Sequence, residues 1–287
     1  MLAYRHAFHA GNHADVLKHV VLIQVLRYMA QKDKPFTLID THAGAGGYSL
    51  ESRYANKRAE YANGIARLWE ADAAALPPAL ADYVSLVRAF NGGGNLEQYP
   101  GSPGFANLLL RPQDRLRLFE LHPTDHRILD AFLGARPNTQ ATMGDGFAAI
   151  KSELPPPGSR RAVLLVDPSY EIKSDYAKVV GALREALTRM ADCVVMIWYP
   201  QLTTVDSVQF PHRLQSAADA LARKGWLHAR LTVQQPDARG FGLIGSGVFI
   251  ANPPHVLHAE LGALMQPLVD RLGQYDAAHY LLEQRAA

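Results

Sequence analysis

Val163-Leu164-Leu165-Val166-Asp167-Pro168-Ser169-Tyr170 is the stretch that decides the fold. Four apolar residues run straight into an acid, a proline and an aromatic. A short all-apolar run closed by proline reads as a strand buried on both faces, ending where the chain must turn. Such strands belong to parallel sheets flanked by helices, so the chain is α/β. In open sheets of this class ligands sit just beyond the carboxyl ends of the strands. Taken alone, the four residues 167–170 fit a capped turn as well as a reactive site.

The stretch suits alkylation of a planar amine such as the exocyclic nitrogen of adenine. That nitrogen is a poor nucleophile because its lone pair is delocalised into the ring. The Asp167 carboxylate and the Pro168 carbonyl can each accept one of its two N–H bonds, favouring a lone pair aimed out of the ring plane. Proline fixes its own φ and helps hold that carbonyl. Tyr170 offers a flat face for stacking.

Working outward, acids end the neighbouring candidate strands. Residues 36–47 (Phe-Thr-Leu-Ile-Asp-Thr-His-Ala-Gly-Ala-Gly-Gly) read as a strand entering a glycine-rich turn. The dinucleotide fingerprint Gly-x-Gly-x-x-Gly fails at Ser49, which weakens a nicotinamide dehydrogenase reading. An acid (Asp40) before Gly-x-Gly is instead the pattern of class I methyltransferases. The next strand, Leu116–Glu120, ends in an acid suited to two vicinal ribose hydroxyls. Residues 141–146 follow, where Asp145 can accept from an adenine amine and Gly146 keeps the backbone close. One such acid is an ordinary surface residue; Asp40, Glu120 and Asp145 together, ahead of Asp167, form a pattern.

The remaining chain completes a doubly covered sheet. Helices are expected at about 15–31 (amphipathic), 104–111, 124–133, 175–191, 206–224 and 257–272. Further strands are expected at 194–200, 227–233 and 247–251, the last two as an antiparallel closing hairpin. The tail Arg285-Ala-Ala is expected to fray. The gap between Asp40 and Leu116 is far longer than a βαβ unit needs, so residues 48–100 read as an inserted pair of helices, 61–71 and 80–90. The expected division is a methyltransferase domain of 1–47 and 101–287, with 48–100 inserted; 1–36 carry an N-terminal motif and helix.

Composition excludes several classes. The chain has 287 residues, 48% hydrophobic and 20% charged, with a net charge of +2. That is an ordinary globular composition, and no apolar run reaches the ~20 residues of a membrane helix. A single cysteine, Cys193, rules out an internal disulfide and fits a reducing cytoplasm. Residues 1–36 carry five basic side chains (Arg5, Lys18, Arg27, Lys32, Lys34) against Asp15 and Asp33, a modest phosphate-seeking surface. His9 and His13 are spaced four apart, but Gly11-Asn12 breaks a helix between them, so no metal is expected.

With these segments laid out, the chain resembles the RlmJ family of 23S rRNA adenine-N6 methyltransferases. The likeness spans nearly the whole chain. It is strongest in Tyr4-Arg-His-Ala-Phe-His-Ala-Gly-Asn-His-Ala-Asp-Val-Leu-Lys-His19 and Asp40-Thr-His-Ala-Gly-Ala-Gly46. Tyr99-Pro-Gly-Ser-Pro103, Glu120-Leu-His-Pro, Asp145-Gly-Phe and Trp198-Tyr-Pro add to it. The resemblance implies a class I (Rossmann-like) fold with a seven-stranded mixed sheet, helices on both faces and a small helical insertion. It implies S-adenosyl-L-methionine contacts at His19, His42, Ser102, Glu120, Asp145, Gly146 and Asp167. Asp167 also takes the catalytic role, Tyr4 meets RNA, and Lys18 is a neighbouring contact to cofactor or RNA. It further implies a cytoplasmic monomer acting on a stem-loop of deproteinised or early-assembly 23S rRNA. One departure stands out: the family motif is Asp-Pro-Pro-Tyr, and Ser169 occupies its second proline, freeing one φ. A DNA adenine methyltransferase and a non-catalytic RNA-binding module are the rival readings.

Overall fold

Alternation of side chains along the strands sets the layers. Leu38, Leu165, Met196 and Ile250 enter one core, whereas their chain neighbours Ile39, Leu164, Ile197 and Phe249 enter the other. A strand feeding two cores has no polar face, which is why 163–166 is apolar throughout. The computed structural model describes residues 6–51 and 59–286.

Eight strands form one sheet: β1 (Thr37–Asp40), β2 (Arg115–Glu120), β3 (Thr139–Met143), β4 (Ala162–Val166), β5 (Val194–Gln201), β6 (Trp226–Thr232), β7 (Gly245–Ala251) and β8 (His279–Arg285). Their order is β8-β6-β7-β5-β4-β1-β2-β3. The first five run parallel. β7 is antiparallel to β5, β6 to β7, and β8 to β6. This is the class I arrangement with its closing hairpin, but with eight strands where seven were expected. The additional strand is β8, which pairs Arg285 with Trp226 and His279 with Thr232. Of the tail expected to fray, Arg285 closes this edge strand, Ala286 lies beyond it, and Ala287 is outside the described residues.

Nine helices among the described residues complete the layers: α1 (His13–Ala30), α2 (Ile65–Trp69), α3 (Pro78–Phe90), α4 (Ser102–Leu109), α5 (Pro123–Leu133), α6 (Gly146–Glu153), α7 (Ser174–Arg189), α8 (Val205–Leu221) and α9 (Leu257–Leu272). α1, α3, α4, α5 and α9 share one core with the sheet; α6, α7 and α8 share the other. Burying one leucine of β4 stabilises the fold by about 1.5–3 kcal/mol. Leu164→Asp, which places a charge between β4 and α7, would undo that.

Two expectations change. The apolar period predicts an amphipathic α1, yet almost every residue from His13 to Leu26 is buried. The sheet covers one side, and α3 and α9 cover the other, so its Asp15, Lys18 and His19 are interior groups. Among the described residues of the insertion, the helix expected at 80–90 is α3, whereas 61–71 divides into a 3-10 turn, Glu60–Asn63, and the short α2, and a further 3-10 turn, Ala73–Ala75, precedes α3. Ile65, Leu68, Leu80, Tyr83 and Val87 pack into the core that holds α1, so the described part of the segment shares that interior.

The glycine turn after β1 explains the broken dinucleotide fingerprint. Gly44 and Gly46 take φ of 63° and 85°. Residues 47–49 then pair with 98–100 in a two-stranded ribbon, so no helix opens directly behind the turn. Helix α4 arrives only at Ser102, after the insertion, and brings that hydroxyl back to the end of β1.

Candidate active site

The site grows from the carboxyl ends of β1, β2, β3 and β4, together with the start of α1. Two cavities open there. The first, about 210 Å³, is walled by His19, His42, Gly44, Ser102, Glu120, Asp145, Gly146, Pro168 and neighbours. The second, about 240 Å³, is walled by His9, Asn12, Asp15, Tyr170, Trp198, Leu243 and neighbours. Asp167, Ser169, Lys18 and His6 border both.

Asp167 stands where the cavities meet. Lys18 Nζ donates to its Oδ2 at 2.6 Å and pairs with Asp15 Oδ1 at 2.9 Å. Asp15 also accepts from His6 Nε2 and from the Gly11 N–H, each at 2.9 Å. Burial alone would lower the Lys18 pKa, but the two carboxylates overcome it and hold the ammonium above its ordinary value. Burial would raise Asp15, and His6 and Lys18 reverse this, keeping its carboxyl well below the usual range. Burial lifts Asp167 above the ordinary carboxylate range, with Lys18 opposing. The result is one buried cation clamped between two carboxylates, leaving Asp167 Oδ1 outside the pair.

The turn that displays Asp167 is strained at its end. Tyr170 has φ of 55°, a conformation costly for a bulky residue and found mainly at functional sites. Its hydroxyl donates to the Trp198 carbonyl at 2.7 Å, and its ring packs against Tyr176 and Phe210. Tyr170 thus borders the second cavity as a buried anchor of the turn, with little of the open face envisaged for stacking.

The acids of the first cavity each have a defined partner. Glu120 accepts from His122 N at 2.7 Å through one oxygen and from Gly44 N at 2.9 Å through the other. A carboxylate has about four lone-pair sites, so two remain for vicinal hydroxyls. Burial raises its pKa. Asp145 caps α6 by accepting from Phe147 N, which leaves Oδ2 for a ligand. A Cβ on Gly146 would stand 2.0 Å from the Thr41 carbonyl, so only glycine fits there. Asp40 lies behind the wall: it accepts from Ser102 Oγ at 2.6 Å and from His42 N at 3.1 Å, and burial pushes its pKa up to about 6.

Burial holds His13, His19 and His42 in the neutral form. Burial lowers His42 to about 4. The Thr41 hydroxyl gives its proton to the Leu165 carbonyl, so His42 Nδ1 must donate to Thr41 Oγ1, leaving Nε2 as an acceptor. His19 Nδ1 meets the Tyr99 hydroxyl at 2.7 Å, while its buried Nε2 has no partner among the described residues. His9 meets Glu60 at 2.9 Å, and burial lowers His13 to about 4. Tyr4 lies outside the described residues.

The first cavity fits S-adenosylmethionine in its chemistry. Glu120, Asp125, Asp145, Asp167 and Asp175 outnumber Lys18 and Lys178 along its wall, which favours a cationic ligand. The orphaned His19 Nε2 on the same wall awaits a polar partner. Sequence reading collected most of this wall but missed His6 and Asp15 as members of the Lys18–Asp167 chain. The available signal was Asp15 and Lys18, three apart on one helix and therefore on one face.

Comparison with known proteins places the chain among relatives. A family model described as "Ribosomal RNA large subunit methyltransferase D, RlmJ" matches residues 33–284. The chain is 41% identical over 279 residues to ribosomal RNA large subunit methyltransferase J of Escherichia coli, covering 97% of both chains. It is 41% identical over 273 residues to the protein of that name from Haemophilus influenzae, covering 95% of this chain and 94% of the relative. The crystal structure of protein LPL1258 from Legionella pneumophila superimposes with a TM-score of 0.85 at 32% identity, covering 96% of this chain and 98% of that one. No helix among the described residues is long and apolar enough to cross a membrane.

Proposed function

The chain belongs to the RlmJ family of large-subunit ribosomal RNA methyltransferases, and from that premise we propose that it methylates the exocyclic N6 amine of one adenine in 23S rRNA. The adenine is extruded from its stem, as enzymes acting on a stacked base require. The substrate is deproteinised or early-assembly RNA, and the protein acts as a monomer. The observation that supports this most is the meeting of two cavities at the Asp167 carboxylate, one acidic enough for the donor and one open for the base.

S-adenosylmethionine is the cofactor, and when bound it supplies a methyl group already activated on a sulfonium. The chain's own residues therefore bind and position. Glu120 holds ribose hydroxyls, Asp145 Oδ2 accepts from the adenine amine of the cofactor, and Gly146 lets that ring approach the backbone. His19, His42 and Ser102 line the remaining wall, with Ser102 and His42 fixed by Asp40.

Where the two cavities meet, Asp167 Oδ1, which borders both, and the carbonyl of Pro168, which walls the first, accept the two N–H bonds of the target amine. Lys18 keeps Asp167 ionised and prevents its rotation by holding Oδ2. Correct placement of a nucleophile about 3–3.5 Å from its target is the largest acceleration such a site supplies. The raised pKa of Asp167 suits it to take the proton released from the nitrogen once the new bond has formed. Ser169 frees a φ in the turn; the Tyr170 hydroxyl bond to Trp198 and its aromatic packing supply rigidity that the missing proline would have given.

Labelled-methyl transfer to protein-free 23S rRNA and to duplex DNA tests the reading. Incorporation into RNA alone, abolished by Asp167→Ala with cofactor binding retained, is expected. Incorporation into DNA alone, or full turnover by Asp167→Ala, overturns it.

A further inference from the structure

Large apolar side chains should not crowd an exposed rim without a partner. Leu121, Met143, Ile172, Val205, Val208 and Phe241 are all exposed, and each follows or caps the carboxyl end of the sheet. Phe241, 61% exposed, is the aromatic among them. It lies in the loop joining β6 to β7. The register Gln201↔Gly245 and Thr232↔Gly245 places that loop at the end of the sheet where Asp167 lies. Leu243 of the same loop, with Leu202 and Pro200, walls the second cavity.

The loop is built to hold its ring outward. Asp237 Oδ1 accepts from the N–H groups of Arg239 and Phe241 at 2.9 and 2.8 Å. The Asp237 N–H donates to the Phe241 carbonyl at 2.7 Å. Thr203, just ahead of α8, ties the loop down by donating to the Gly240 carbonyl. The Arg239 guanidinium lies 5.9 Å from the Phe241 ring centroid, with its side chain 81% exposed. Its ion pair among the described residues, to Asp237 at 3.5 Å, is long and solvated.

We propose that Phe241, with Arg239 beside it, is the platform on which a nucleotide flanking the extruded adenine stacks. The proposal rests on the reading that the second cavity receives the target base. Extruding a base leaves its neighbour without a stacking partner, and an exposed aromatic in the loop whose Leu243 walls the cavity restores one. The adjacent guanidinium adds a planar cation for a base edge or phosphate, which a purely apolar protein contact would not require. Base–aromatic stacking of this kind changes affinity by about tenfold.

The test uses the full chain, S-adenosylmethionine and an RNA hairpin carrying the target adenine, with steady-state kinetics for wild type, Phe241→Ala, Phe241→Trp and Arg239→Ala. Phe241→Ala should raise KM for the hairpin about tenfold with kcat within twofold, Phe241→Trp should restore KM, and Arg239→Ala should raise it less. A 2-aminopurine probe beside the target should be quenched on binding wild type and not Phe241→Ala. Unchanged KM and unchanged quenching in Phe241→Ala overturn the proposal while leaving the methyltransferase reading intact. Loss of binding to ribosomal protein–RNA particles with unchanged hairpin KM assigns the ring to a protein partner and overturns it too. Failure of wild type to methylate the hairpin or 23S rRNA overturns the underlying reading instead.

Discussion

Replacing Lys18 by methionine removes the cation while nearly conserving volume, and its consequences follow from two distances. The ammonium lies 2.6 Å from Asp167 Oδ2 and 2.9 Å from Asp15 Oδ1, with side-chain exposures of 5%, 13% and 3% for the three groups. Breaking a buried ion pair by removing one partner costs about 3–5 kcal/mol. Asp15 keeps His6 and the Gly11 N–H, so the deficit falls on Asp167. Without the cation, burial acts on Asp167 unopposed by Lys18 and lifts its pKa further above its already raised value. The neutral acid then persists to higher pH, and the amine loses its ionised acceptor over a wider range. The assay is kcat against pH at saturating RNA and cofactor. The acid limb of Lys18→Met should move to higher pH, with the alkaline plateau within a few-fold of wild type. Stability carries the same sign: a carboxyl with raised folded pKa destabilises as pH rises through its unfolded toward its folded value. The variant should therefore be closest to wild type in acid and fall behind above it. A profile lowered uniformly with no shift of its limb, or a change confined to KM, would refute the view that Lys18 works through Asp167.

Other consequences are equally concrete. Ser102→Ala removes the 2.6 Å bond to Asp40, and urea denaturation at pH 8 should show a loss of about 1.5–3 kcal/mol. The deficit should shrink below the Asp40 pKa of about 6, where that carboxyl is already protonated. Gly146→Ala drives a Cβ into the Thr41 carbonyl and should lower Tm by several degrees and abolish cofactor binding, whereas Gly144→Ala, with nothing within 4 Å, should leave Tm unchanged. Truncation before His279 bares the full length of β6 as an open edge; light scattering on heating should show earlier aggregation than for the intact chain.

How much of this was legible beforehand depends on where each signal resides. The run 163–166 declared itself because a strand buried on both faces tolerates nothing but apolar side chains. Glu120 and Asp145 declared themselves only in company with Asp40, because a single strand-end acid is an ordinary surface residue or, like Asp145, a helix cap. By contrast, Lys18 and Asp167 are separated by 149 positions, and no local pattern announces a pair made by packing α1 over the sheet. α1 reads as amphipathic from its period, but Asp15 and Lys18 turn inward to the chain that ends at Asp167 and His19 turns onto Tyr99, none of them to solvent. β8 escaped notice for the opposite reason: as an exposed edge it needs no apolar alternation, and His279–Arg285 has none to show. Tyr170 was placed at the right turn but given too open a ring, since its positive φ and the Trp198 bond turn it into the aromatic cluster.

The account comes down to where one methyl group is delivered. Protein-free 23S rRNA incubated with the enzyme and S-adenosylmethionine, then digested to fragments and nucleosides for mass spectrometry, reads this directly. The account predicts a single methylated fragment whose modified nucleoside is N6-methyladenosine, absent when Asp167→Ala replaces the wild type. Methyl groups on a ribose, on another base or on a ring nitrogen of adenine would contradict it.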